Sequence, residues 1–179
     1  MKLADDDFTL FGLPERHALD RAALDARWRD LQAVAHPDRH AHEGAAAQRL
    51  AVQWAVRVNE AYTRLKDPLR RAAYLCERRG APIDAERNTA MPPEFLAQQM
   101  HWREALDEAD DAADPEAAVR RLDDEVAAAE RTLLARVARQ LDDEGDAAGA
   151  AAGVRALMFL NRFRQEVERR LDALESGRT

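Results

Sequence analysis

Leu24, Trp28, Leu31 and Ala35 fall at i, i+4, i+7 and i+11, and Ala47, Leu50, Trp54, Val58, Ala61 and Leu65 repeat that rhythm further along. A period of 3.6 residues belongs to the α-helix, so each set forms one apolar stripe. Two such stripes joined by a short loop bury themselves face to face, which predicts an antiparallel helical hairpin. Asp20 caps the first helix, predicted over 21–35. It must stop near His36, because a residue before proline is pushed out of the α region. The second helix follows "PDRHAHEG" and runs to about Lys66, where "KDP" ends it; "FTLFGLP" supplies a short apolar lead-in helix.

Residues 80–93, "GAPIDAERNTAMPP", hold three prolines and no apolar period. They read as a linker between domains at 1–79 and 94–179. Beyond it lie three further helical patterns. The first covers 93–112, with Phe95, Trp102, Leu106 and Ala109 on one stripe and Gln99 in line. The second starts at Asp114 as cap and Pro115 at the first helical position, with Leu122, Val126, Ala129, Leu133, Val137 and Leu141 as its stripe. After a glycine-punctuated loop, "DDEGDAAGAAAG", the third shows Leu157, Leu160, Arg164, Val167, Leu171 and Leu174 at heptad-like spacing. The predicted fold is all-α: a hairpin with its lead-in helix, joined to a three-helix bundle.

Composition removes several classes of function. Residues 1–79 carry net +2 and residues 80–179 net −9. The acidic second half would repel a phosphate backbone, which argues against nucleic acid as partner. A single cysteine, Cys76, excludes an internal disulfide and any CxxC metal knuckle. "MKLADDDFTLF" places acids where a signal peptide needs cations and an apolar run, and no stretch reaches 18 uninterrupted apolar residues. A cytoplasmic chain that spans no membrane is the expectation.

The tripeptide His36-Pro37-Asp38 sits in the hairpin loop, with His40 and His42 close behind. Asp after Pro is ordinary turn chemistry. A metal site of His36, His40, His42 and Asp38 has spacing poorly suited to a tetrahedral frame, and no distant ligand cluster supports it. An acid–base pair of His36 and Asp38 has no nucleophile, oxyanion donor or phosphate loop beside it. Taken alone, the tripeptide decides nothing.

Its company decides more. Downstream the chain reads "VNEAYTRLKDPLRRAAYL", Val58 to Leu75. A His-Pro-Asp loop between two antiparallel helices, followed by N-E-A-Y-x-x-L-x-D-P-x-x-R-x-x-Y, closely resembles the J-domain family over about residues 6–76. The resemblance implies that His36, Pro37 and Asp38 dock on a DnaK-type chaperone and trigger its ATP hydrolysis, so the catalysis belongs to the partner and this chain is not an enzyme. Pro37 stiffens the loop and holds His36 extended, and Asp38 can pair with an arginine of the chaperone. Arg21, Arg27 and Arg29 lie off the buried stripe and suit an acidic chaperone surface, or simply a solvated helix face; Arg39 follows the tripeptide directly. "QAVA" before it is neutral where many J-domains are basic.

The chain has neither the Gly/Phe-rich linker nor the zinc repeats of general-purpose J-proteins. "DDDFTLFGLPERHALDRAALDARWRDLQ" and "PPEFLAQQMHWREALDEADDA" resemble HscB, the J-domain co-chaperone of iron–sulfur cluster assembly, essentially end to end. That resemblance implies two partners, an HscA/DnaK-type chaperone and an IscU-type scaffold protein, and no cofactor. A second stripe on 93–112, made of Leu96, Met100, Glu104 and Glu108, lies about a hundred degrees from the core stripe, and Phe159 is similarly displaced on the last helix. These residues serve either as a partner surface or as added core. The family's scaffold-binding surface maps onto Leu96, Ala97, Met100, His101, Glu104, Glu108 and Phe159; Ala97 is smaller than the usual apolar residue there, and His101 replaces an acid. A J-protein with a different client on its second half remains the alternative.

Overall fold

The computed structural model describes residues 2–35, 44–85 and 87–176. These contain seven α-helices and no strand, divided between two compact units, Met1–Leu75 and Cys76–Thr179.

In the first unit, α1 (Asp7–Phe11) leads into α2 (Arg21–Ala35), and α3 (Ala45–Lys66) returns alongside it. Asp6 caps α1 by accepting from the amides of Phe8 and Thr9, and Gly12 ends it in the left-handed region at φ 63°. The Asp20 carboxylate accepts from Ala22 N at 2.8 Å and Ala23 N at 3.2 Å, as its sequence position predicts. The hairpin is antiparallel: Arg21 meets Tyr62 while Gln32, eleven residues on, meets Asn59. Leu24, Val58, Ala61 and Leu65 are buried between the helices and α1, where Phe8 and Phe11 lie.

One member of the predicted stripe is displaced. Leu50 is 48% exposed, and Ala51 is buried in its place. Ala51 precedes Val58 by seven residues and so shares its side of the helix, whereas Leu50 stands roughly 80° away.

Sequence periodicity gave no hint of what fastens α1. Asp7 is fully buried, and its Oδ2 accepts from Arg64 Nη1 at 2.9 Å. Its Oδ1 is ion-paired with Arg57 Nη2 at 2.8 Å, an amino group that also donates to the Asp5 carbonyl. The Asp7 amide donates to the Tyr74 hydroxyl at 3.1 Å, from α4 (Pro68–Arg78). A buried carboxylate is stable only while paired, and its removal strands two cations. Asp7→Asn is therefore expected to lower unfolding free energy by about 2–3 kcal/mol in urea denaturation, with m unchanged.

In the second unit, α5 (Pro93–Glu108) ends in a short 3₁₀ turn, α6 (Pro115–Arg139) runs on into a π-turn at Gln140–Glu144, and α7 (Ala147–Ser176) closes the bundle. Asp114 Oδ1 accepts from Ala117 N at 3.1 Å, with Pro115 at the first helical position. Trp102 is fully buried and donates from Nε1 to Glu125 Oε1 at 2.8 Å. Around it Phe95, Phe159 and Phe163 form an edge-and-stack cluster, with centroids 5.7–6.4 Å apart. Val119 and Phe163, outside the predicted stripes, belong to this core. Arg164, predicted within a stripe, lies at the core edge and pairs with Asp123 and Glu130 on α6.

The last helix starts earlier than the glycines suggest. It begins at Ala147, so Gly149 and Gly153 are helical rather than loop residues. A Cβ on Gly149 would stand 2.0 Å from Asp146 Oδ2 and 2.4 Å from Gln140 Nε2, whereas contact with α6 explains Gly153, where a Cβ would stand 2.5 Å from Val137 Cγ2. Glycine is chosen here for close helix approach, against its own propensity. Gly153→Ala should destabilise the bundle by about 1–3 kcal/mol on chemical denaturation, despite alanine's better helix propensity. A stabilised variant would show that the two helices part easily.

Candidate functional site

His36, Pro37, Asp38 and Arg39 lie outside the described residues, as do His40 and His42. The flanking arginines on α2 are described. Arg21, Arg27 and Arg29 are all exposed. Arg27 is committed to the fold: its Nε donates to the Phe11 carbonyl at 3.2 Å, and its guanidinium closes over Gly12. Arg21 binds Asp25 at 2.7 Å, and that bond holds the Asp25 carboxyl below its ordinary range while raising the guanidinium. Arg29 makes no hydrogen bond or ion pair with any described residue, although its charge helps to hold the Asp25 carboxyl below its ordinary range. Sequence reasoning missed the neighbouring aromatic step, where Trp28 stacks on Tyr62 at 4.8 Å and both Trp28 and Gln32 donate to Asn59.

The second candidate surface is described in full. Leu96, Ala97, Met100, His101, Glu104 and Glu108 are all exposed along α5. Phe95, Trp102, Leu106 and Ala109 of the same chain segment are buried on the other side. Leu96 and Met100 keep 44% and 62% of their surface, which is high for large apolar side chains beside a complete core. Neither Glu104 nor Glu108 is ion-paired within the described residues. Phe159 occupies a middle position. Its ring meets Phe95 edge-on at 5.7 Å and stacks on Phe163 at 6.2 Å, yet is only half-buried, so it serves the core and borders the surface at once.

Cys76 is buried at the end of α4, and burial pushes its thiol from the ordinary 9.0 up to about 11. Such a thiol is neither a ready nucleophile nor a metal ligand. Alkylation at pH 8 should be slow in the native protein and fast in denaturant, as read by mass spectrometry. The raised value also means stability that is present below pH 9 and declines as pH rises from about 9 through about 11. Among the described residues no group of three His, Cys, Asp or Glu side chains is placed to hold a metal ion, and no helix is long and apolar enough to cross a membrane.

The first unit thus holds a lead-in helix and an antiparallel hairpin, and the second a bundle that exposes Leu96 and Met100 on α5. Comparison with known proteins supplies the class. Residues 91–168 match the family model described as the HSCB C-terminal oligomerisation domain. The co-chaperone protein HscB homolog of Bordetella petrii is 49% identical over 164 residues, covering 92% of this chain and 95% of that protein. Its counterpart in Ralstonia nicotianae is 47% identical over 175 residues, covering 96% and 97%. Among solved structures, chaperone HscB from Vibrio cholerae superposes with a TM-score of 0.79 at 39% identity, over 95% of this chain and 99% of the other. Human co-chaperone protein HscB shares the fold, with a TM-score of 0.83 at 24% identity over 94% and 83%. The chain belongs to the HscB family of co-chaperones.

Proposed function

We propose that this co-chaperone acts in iron–sulfur cluster assembly in the cytoplasm, stimulating the ATPase of an HscA/DnaK-type chaperone and delivering an IscU-type scaffold protein to it. His36, Pro37 and Asp38 engage the chaperone, flanked by Arg27, Arg29 and Arg39. Leu96, Ala97, Met100, His101, Glu104 and Glu108, bordered by Phe159, receive the scaffold.

The observation that carries this reading is the division of α5. One side supplies Phe95, Trp102 and Leu106 to a complete core, and the other exposes Leu96 and Met100 beside two carboxylates that no described residue pairs. Apolar side chains left in water next to free charge suit a protein partner that covers the first and neutralises the second. Arg27 has a smaller share than Arg29 in chaperone contact on this reading, since its guanidinium already holds α1.

Calorimetric titration of the chain with the apo scaffold protein tests the delivery half, and the rate of the chaperone ATPase with and without the chain tests the other. Micromolar binding together with a stimulated rate is expected. Stimulation without scaffold binding would leave a J-protein whose client lies elsewhere.

A further inference from the structure

Helices α5 and α6 close on each other toward the end of α5, where Trp102 Nε1 donates to Glu125 Oε1 and the 3₁₀ turn packs on α6. Toward the start of α5 they stand apart. The short side chains of Ala129 and Thr132 do not fill the space, and a cavity of about 250 Å³ remains. Phe95, Leu133 and Leu160 line its floor. Its mouth is crossed by an ion pair between two long side chains, Arg136 Nη1 donating to Glu94 Oε1 at 2.5 Å. Both groups are exposed, and an ion pair in water adds little stability, so the mouth opens readily. The hydrogen bond from Arg136 holds the Glu94 carboxyl below its ordinary range, so both charges are present at neutral pH. Glu94 stands roughly 160° around the helix from Leu96, so the mouth opens on a different side of α5 from Leu96 and Met100.

We propose that this cavity binds a free α-amino acid with an apolar side chain of about the size of leucine. A mouth that carries one cation and one anion in contact suits a ligand that carries both, because a singly charged ligand pairs one group and strands the other. The ligand carboxylate takes Arg136 and its ammonium takes Glu94, so one exposed ion pair is replaced by two. The side chain then rests on Phe95, Leu133 and Leu160. Gln98 at the rim supplies a further donor, and the Thr132 hydroxyl, which already donates to the Ala128 carbonyl, is left as an acceptor for the ammonium. Size narrows the class further. The cavity lies below the range of about 300 Å³ upward that takes drug-sized molecules, which leaves a ligand of roughly ten non-hydrogen atoms. In a peptide the two charges lie at opposite ends, too far apart for one mouth.

The test is an amide NMR titration of the isotope-labelled full chain with L-leucine and two analogues. One, 4-methylpentanoate, lacks the ammonium; the other, 3-methylbutylamine, lacks the carboxylate. L-Leucine is expected to shift the amides of Phe95, Gln98, Thr132 and Leu133 saturably, with a Kd of about a millimolar for so few atoms. Each analogue should bind at least about tenfold more weakly, because it leaves one charge of the mouth unpaired. Glu94→Gln and Arg136→Gln should each weaken leucine binding about tenfold, and both should melt within a degree or so of the unsubstituted chain, because the side chains are exposed. Ala129→Leu, which fills the cavity, should abolish binding. Equal binding of leucine and both analogues would overturn the proposal by showing an apolar cleft that ignores charge. Shifts elsewhere in the chain, or binding unchanged in Glu94→Gln and Arg136→Gln, would also overturn it. So would the absence of saturable shifts up to about 50 mM leucine.

Discussion

Replacing Leu96 and Met100 by alanine, together with Phe159, is expected to raise the Kd for the apo scaffold at least about a hundredfold. The physical content is apolar area. Leu96 and Met100 are 44% and 62% exposed, so a partner that covers them removes well over a hundred square ångströms of apolar surface from water. At about 25 cal/mol per Å², with the accessible part of the half-buried Phe159 ring added, the loss reaches about 3 kcal/mol, or roughly two orders of magnitude in affinity. The control lies in the same geometry. Leu96→Ala and Met100→Ala touch no core contact, and their double variant should melt like the unsubstituted chain. Phe159→Ala breaks the contacts with Phe95 and Phe163 and should lower stability by about 1–2 kcal/mol. Weak binding in the double variant at an unchanged melting temperature therefore isolates the surface from the fold. Unchanged binding in the triple variant would remove α5 from the interface.

His36→Gln should return the chaperone's ATPase rate to its basal value while scaffold binding stays within about twofold. Glutamine keeps a hydrogen-bonding side chain of similar reach but loses the imidazole. The two variants thus give reciprocal losses, one of stimulation and one of cargo, because the residues lie in different compact units of the chain. Stimulation by His36→Gln equal to that of the unsubstituted chain would show that the tripeptide is only a turn.

Several features were legible because each is local. Asp20 and Asp114 cap helices through amides two or three residues away, and Pro115 fits a first turn wherever one begins. The α5 core stripe is a matter of period, and Phe95, Trp102, Leu106 and Ala109 are buried as their spacing requires. The exposed side of α5 was legible only in part. Following it in steps of four residues, Leu96 to Met100 to Glu104 to Glu108, drifts around the helix by roughly 40° per step. That drift leads away from Arg103, which a step of seven from Leu96 would have reached.

The amino-acid sequence by itself determined the all-helical pattern, the caps at Asp20 and Asp114, the core stripe of α5, and the resemblance carried by His36-Pro37-Asp38 and Val58–Leu75. Only the tertiary structure decided that Ala51 rather than Leu50 enters the core, that Asp7 is clamped by Arg57 and Arg64, and that Gly149 and Gly153 are helical. It also placed Arg103 over Phe159, 56 residues away in the chain. The reason is range. A helix stripe depends on neighbours within about seven residues, whereas a buried charge, a close helix crossing and a stacked cation each depend on a group that folding brings from far along the chain.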